Sequence, residues 1–104
     1  MFGFGLQIEI DKINKEIEHG SALLVDVRSD EEWEFSHAKG STLFSLDRIG
    51  QGEAPTKDVN KKIYVYCASG ARSGMAERIL RQQGYNVENI GGLGDWRSAG
   101  GSIE

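Results

Sequence analysis

Three strand-like runs, each set between helical patterns, limit the fold more than any other feature of the chain. Ala22-Leu-Leu-Val-Asp-Val27 is compact and rich in β-branched residues, and Lys62-Ile-Tyr-Val-Tyr66 and Val87 to Ile90 read as further strands. The first is as expected of a strand buried on both faces. Ile10, Ile13 and Ile17, with Gly20 after them, predict a short amphipathic helix with a glycine stop. Ser29 or Asp30 can cap a short helix through Glu31–Phe35. Ser41 to Ser45 reads as a brief strand and Leu46 to Ile49 as a helical turn, followed by a loop that holds the only proline, Pro55. Met75, Ala76, Ile79 and Leu80 mark one face of a longer helix. It stops at Gly84-Tyr85, where Gly84 suits the left-handed C′ position and Tyr85 the apolar contact beyond it. Gly94 to Arg97 predicts a last helical turn before a glycine-rich tail. Strands alternating with helices predict an α/β fold, a parallel sheet covered on both faces.

Length and charge narrow the class further. With 104 residues, the chain is expected to form a single domain, residues 1–104. Its net charge of -4 contains no run of five or six like charges, so neither a nucleic-acid footprint nor a polybasic membrane patch is evident. No apolar run approaches a membrane span. The start, Met-Phe-Gly-Phe-Gly-Leu, carries no basic residue before its apolar stretch; it does not read as a secretory signal, and a cytoplasmic location is expected by default. One cysteine permits no internal disulfide, and with two scattered histidines it makes a poor zinc site. No metal is expected.

That cysteine sits where chemistry is easiest to place. Cys67 ends a strand and precedes a helix, outside the carboxyl edge of the predicted sheet, where α/β folds bind ligands. Ala68, Ser69, Gly70 and Ala71 are small, and Gly70 permits a turn that a side chain would obstruct. A loop of this kind can aim backbone N–H groups inward as an anion nest. The helix N-terminus and Arg72 in its first turn add positive potential. Together these favour a thiolate, the reactive form of cysteine. A lone cysteine after a strand is more often a small buried hydrophobe. The combination of glycine, arginine and helix start is what a core cysteine does not need. His19 and His37 are both distant in sequence, so a Cys-His dyad has no local support.

The segment Cys67-Ala68-Ser69-Gly70-Ala71-Arg72 resembles the six-residue active-site loop of the rhodanese superfamily. Leu24-Val25-Asp26-Val27-Arg28 resembles the family's Asp-Val-Arg strand end. Glu32-Trp33 with His37 and Gly40, and Gly91-Gly92 with Trp96, resemble further motifs in the right order. Ile8 through Gly20 fits the family's opening strand and helix. Ser36 and Ser41 stand where glycine and alanine are usual, and the end, Gly100 to Glu104, lacks a usual proline. The resemblance implies a rhodanese-like fold with about five parallel strands flanked by helices on both faces.

It also implies sulfur transfer without metal or organic cofactor. Cys67 and Arg72 would be catalytic, with Ala68, Ser69, Gly70, Ala71 and Ser73 holding the substrate. The sulfur donor would be thiosulfate or another sulfane, and the acceptor cyanide, a small thiol or a thioredoxin-like protein. Related phosphatases and arsenate reductases enclose one residue more between cysteine and arginine. The four residues here suit a single sulfur atom better than a tetrahedral oxyanion. A sulfur-relay carrier and a cysteine-independent scaffold are the other readings. Activity with thiosulfate is expected to be modest, because Arg72 is the loop's only cation. Asp26 and Arg28 are expected to anchor loops, with Arg28 pairing to Glu32 or Glu34. Glu77–Arg81 and Lys12–Glu16 are expected to be solvated helix pairs.

Overall fold

The computed structural model describes residues 8–104. Its sheet holds β1 (Ala22–Asp26), β2 (Ser41–Leu43), β3 (Lys62–Cys67) and β4 (Asn86–Gly92), in the order β2-β1-β3-β4. All three pairings are parallel. Between and around them run α1 (Ile10–Glu18), α2 (Asp30–Phe35), α3 (Leu46–Gly50), α4 (Ala71–Gln82) and α5 (Leu93–Ser98). The predicted α/β architecture is therefore present. Four strands are paired among the described residues, rather than about five. Ile8 and Glu9, where the resemblance places the opening strand, are unpaired, and residues 1–7 lie outside the described part.

Period-two alternation along β3 divides the core. Ile63, Val65 and Cys67 pack on one face with Ile49 of α3 and with Ala76 and Leu80 of α4. Tyr64 and Tyr66 pack on the other with Ile13 of α1 and Trp96 of α5. Met75, expected on the apolar face of α4, is half exposed. The buried stripe runs through Ser73, Ala76 and Leu80, at helical spacing, and leaves Met75 at its margin. The end of α4 is as expected. Gly84 has φ 98°, its N–H bonds the Arg81 carbonyl and the Tyr85 N–H bonds that of Leu80, while the Tyr85 ring packs on the core.

Two helix pairs do more than the sequence predicts. Glu77 and Arg81 lie 3.2 Å apart, but Glu77 also accepts the Asn89 N–H and Arg81 donates to the Val87 carbonyl. They satisfy backbone groups of the edge strand β4. Lys12 and Glu16 likewise both bond the Tyr64 hydroxyl from across the sheet face. The glycine-rich tail is packed as well. Ile103 bridges Ala38 and joins the core, and Gly101 lies against Trp96, whose indole a Cβ there would strike.

The strand order places a switch point between β1 and β3, because the chain leaves β1 toward β2 on one side and β3 toward β4 on the other. At that point Asp26 is fully buried. It accepts the Arg28 N–H and both Nε and Nη2 of the same residue, with Nη2 at 2.7 Å. Arg28 thus pairs with Asp26 and not with Glu32 or Glu34. Residues two apart at a strand end share a face, whereas Glu32 is engaged elsewhere. Tyr66 donates to Asp26 at 2.7 Å and accepts the Ala38 N–H at 3.0 Å. Tyr66→Phe leaves that buried N–H without its acceptor. Urea denaturation should give a stability loss of about 1–3 kcal/mol with an unchanged m-value.

Candidate active site

Cys67 is the last residue of β3 and is 1% exposed. After Ala68 and Ser69, Gly70 takes φ 101°, the left-handed region open to glycine. That turn starts α4 at Ala71 and returns the Gly70 N–H to Cys67 Sγ at 3.0 Å. The Ser73 hydroxyl also lies 3.4 Å from the sulfur. Burial pushes the Cys67 thiol up, but the Ser73 hydroxyl and the amides of Ser73, Ser69 and Gly70 outweigh it, and the balance lies below the ordinary thiol value. Ala68, Ser69 and Ala71 are exposed, whereas Ser73 is fully buried beneath the loop.

Arg72 lies in the first turn of α4, as the sequence places it, but its partner comes from α2. Nη1 and Nη2 lie 2.8 and 2.9 Å from the two carboxylate oxygens of Glu32. Glu32 is also the third helical residue behind the Ser29 cap, and it accepts the Ser29 N–H at 3.1 Å. Arg72 and Ser29 hold the Glu32 carboxyl down to about 2. The loop arginine is therefore tied to the capping box of another helix.

Asn89 of this site escaped the sequence reading, and Gly92 entered it only as part of a motif. Asn89 of β4 accepts the Ser73 hydroxyl at 2.7 Å and the Gly91 N–H at 2.9 Å through Oδ1, while its Nδ2 donates to the Gly70 carbonyl at 3.0 Å. Gly92, opposite Cys67 in the sheet register, lies so close that a Cβ would collide with the Ala68 carbonyl. No local pattern marks Asn89. Gly92 stands out only as half of a glycine pair. His37 is occupied away from the cysteine loop, with Nδ1 2.8 Å from the Trp33 carbonyl and its ring stacked on Trp33. Among the described residues no group of three or more metal-ligating side chains occurs, and no helix is long and apolar enough to cross a membrane.

Cys67 is thus a buried thiol bonded by a loop amide at the carboxyl edge of a parallel sheet, the place where α/β folds bind ligands. Residues 9–99 match the rhodanese-like domain family. The chain belongs to that family. It is 38% identical over 73 residues to thiosulfate sulfurtransferase PspE of Escherichia coli, covering 68% of this chain and 70% of that one. It is 30% identical over 93 residues to the putative sulfur carrier protein YrkF of Bacillus subtilis, covering 86% of this chain but only 50% of YrkF. A rhodanese-related protein of Thermoplasma volcanium superposes with TM-score 0.75 at 26% identity, covering 93% of this chain and 95% of that one.

The Ser73 hydroxyl has one proton and several acceptors in reach. Asn89 Oδ1 keeps the Gly91 N–H when that proton turns to sulfur, and a charged thiolate is the stronger competitor for it. The pH profile of Cys67 alkylation by iodoacetamide should have its midpoint below that of an ordinary thiol. Ser73→Ala should raise the midpoint by about half to one unit, the worth of one hydrogen bond.

Proposed function

We propose that the protein is a sulfurtransferase that carries sulfane sulfur as a persulfide on Cys67. The observation that carries this reading is the pair of donors on Cys67 Sγ, the Gly70 N–H at 3.0 Å and the Ser73 hydroxyl at 3.4 Å, in a loop of six residues. The Cys67 thiolate attacks the outer sulfur of a donor such as thiosulfate. A new S–S bond forms, the donor's own S–S bond breaks, and its electron pair leaves with sulfite. The loop amides then hold the negative charge of the persulfide, as an oxyanion hole would. An acceptor thiolate next attacks the terminal sulfur and releases the Cys67 thiolate, which splits the transfer into two easier steps. Arg72, held by Glu32, fixes the helix end of the loop. Ala68 and Ala71 complete the loop, and neither step calls for a cofactor. A single nucleophilic thiol fits a reducing compartment such as the cytoplasm, where small thiols and thioredoxin-like proteins would serve as acceptors. Intact-mass analysis after incubation with thiosulfate should show a gain of about 32 Da, removed by cyanide or dithiothreitol and absent from Cys67→Ser. Wild-type protein that gains no such mass from any sulfane donor contradicts the reading.

The likeness to a protein named as a putative sulfur carrier favours a second reading, in which Cys67 receives sulfur from a partner and turns over slowly alone. Incubation with a cysteine desulfurase separates the two. A Cys67 persulfide formed from the desulfurase, but not from thiosulfate, identifies a relay.

A further inference from the structure

Glu32 binds Arg72 and the α2 cap at once. Its Oε1 lies 2.8 Å from Arg72 Nη1 and 3.1 Å from both the N–H and the hydroxyl of Ser29. Its Oε2 lies 2.9 Å from Arg72 Nη2. Both terminal nitrogens of the loop arginine are therefore committed to one carboxylate, in the bidentate geometry with which arginine would otherwise grip an oxyanion. The neighbouring pocket, about 140 Å³, is lined by Arg28, Ser29, Ser45, Asp47 and Arg72 among others. Each of its two arginines already has a carboxylate partner, Asp26 for Arg28 and Glu32 for Arg72. Asp47 contributes a further negative charge. A dianion entering this pocket meets two arginines that each already hold a carboxylate.

We propose that Glu32 is a specificity-determining positioning residue that withholds Arg72 from donors and so sets the site against doubly charged oxyanions. The class of donor this favours is a sulfane sulfur carried on a thiol. For such a donor, the Cys67 thiolate attacks the terminal sulfur of a protonated persulfide. One S–S bond forms, the donor's S–S bond breaks, its electron pair leaves with the donor thiolate, and the proton stays on the new Cys67 persulfide. The donor class rests on the sulfur-transfer reading. The field of Glu32 at Cys67 does not.

That field is measured by the rates at which iodoacetate and iodoacetamide alkylate Cys67. Both reagents react at the same kind of carbon and expel iodide, but iodoacetate carries one negative charge. A change in thiol ionisation affects both alike and cancels in their ratio. Glu32→Gln keeps an oxygen for the Ser29 N–H while removing the charge. It should raise the iodoacetate-to-iodoacetamide ratio about three- to tenfold at low salt, and the gain should shrink at about 1 M salt. Glu32→Ala, which also drops the cap, should move the ratio the same way. Ser29→Ala weakens the cap but retains the carboxylate. Glu88→Gln makes the same change in net charge beside Lys62. Both should leave the ratio at its wild-type value.

With donors, Glu32→Gln should lower KM for thiosulfate more than KM for a singly charged arenethiosulfonate, with kcat changing less than either. A ratio unchanged in Glu32→Gln, or moved as far by Ser29→Ala or Glu88→Gln, overturns the proposal. Absence of a persulfide from every donor counts against sulfur transfer, and the alkylation ratio still decides the role of Glu32.

Discussion

The buried carboxylate of Asp26 organises the carboxyl edge of the sheet. A charge with no exposure is tolerated only when its oxygens are fully paired, and here the partners come from three directions. Arg28 supplies its backbone N–H and two guanidinium nitrogens, and Tyr66 supplies its hydroxyl from β3. Each partner then reaches further. Arg28 Nη2 donates to the Ser36 carbonyl beyond the end of α2, and the Tyr66 oxygen accepts the Ala38 N–H ahead of β2. Burial pushes the Tyr66 hydroxyl up, so it remains a donor to Asp26. One carboxylate thereby fixes the ends of β1 and β3 and the chain around α2. Cys67 follows Tyr66 directly, and its position at the switch point inherits that rigidity.

The helices that begin at this edge differ in one respect that bears on the thiol. α2 opens with Asp30, Glu31 and Glu32, α3 with Asp47, and α5 with Asp95. In each, acidic side chains answer the partial positive charge of the first turn. α4 has no acidic residue in its first turn and carries Arg72 instead. The negative charge that would complement α4 is therefore left for sulfur to supply. Glu32 tempers this from the side, since it neutralises Arg72 without touching the amides that face Cys67. Anion stabilisation at the sulfur thus falls to the Ser73 hydroxyl and the loop N–H groups rather than to Arg72 alone.

What the sequence revealed, and what it did not, follows the range of the interactions involved. The loop from Cys67 to Arg72 was legible because strand end, glycine turn and helix start are local events, written in adjacent residues. The strand and helix order was legible for the same reason, through periodicity. Partner choice was not. Arg28 has Glu32 and Glu34 within a helical turn or two, yet it takes Asp26, and Glu32 takes Arg72 from 40 positions away. Asn89 is invisible locally because two of its three side-chain contacts, to Gly70 and Ser73, join β4 to the cysteine loop and α4 only after the sheet has formed. Glu77 and Arg81 were recognisable as a pair, but that they also cover the open edge of β4 depends on how α4 lies over it.

Arg72 also bears on the contrast with phosphate chemistry. A phosphoryl group in a thiol cradle needs donors for several oxygens around one centre, and a guanidinium fork is well suited to give two of them. Here the fork faces Glu32, and the Gly70 N–H and the Ser73 hydroxyl bond the sulfur itself. Widening the loop is hindered from the other side, where the Ala68 carbonyl rests against Gly92 with no room for even a methyl group, and Asn89 holds the Gly70 carbonyl. A loop pinned at both flanks, with its arginine paired to Glu32, supports the proposed reading, in which it holds one atom of added sulfur rather than a tetrahedral anion. The short spacing between Cys67 and Arg72 and the close approach of Gly92 to Ala68 thus express the same constraint.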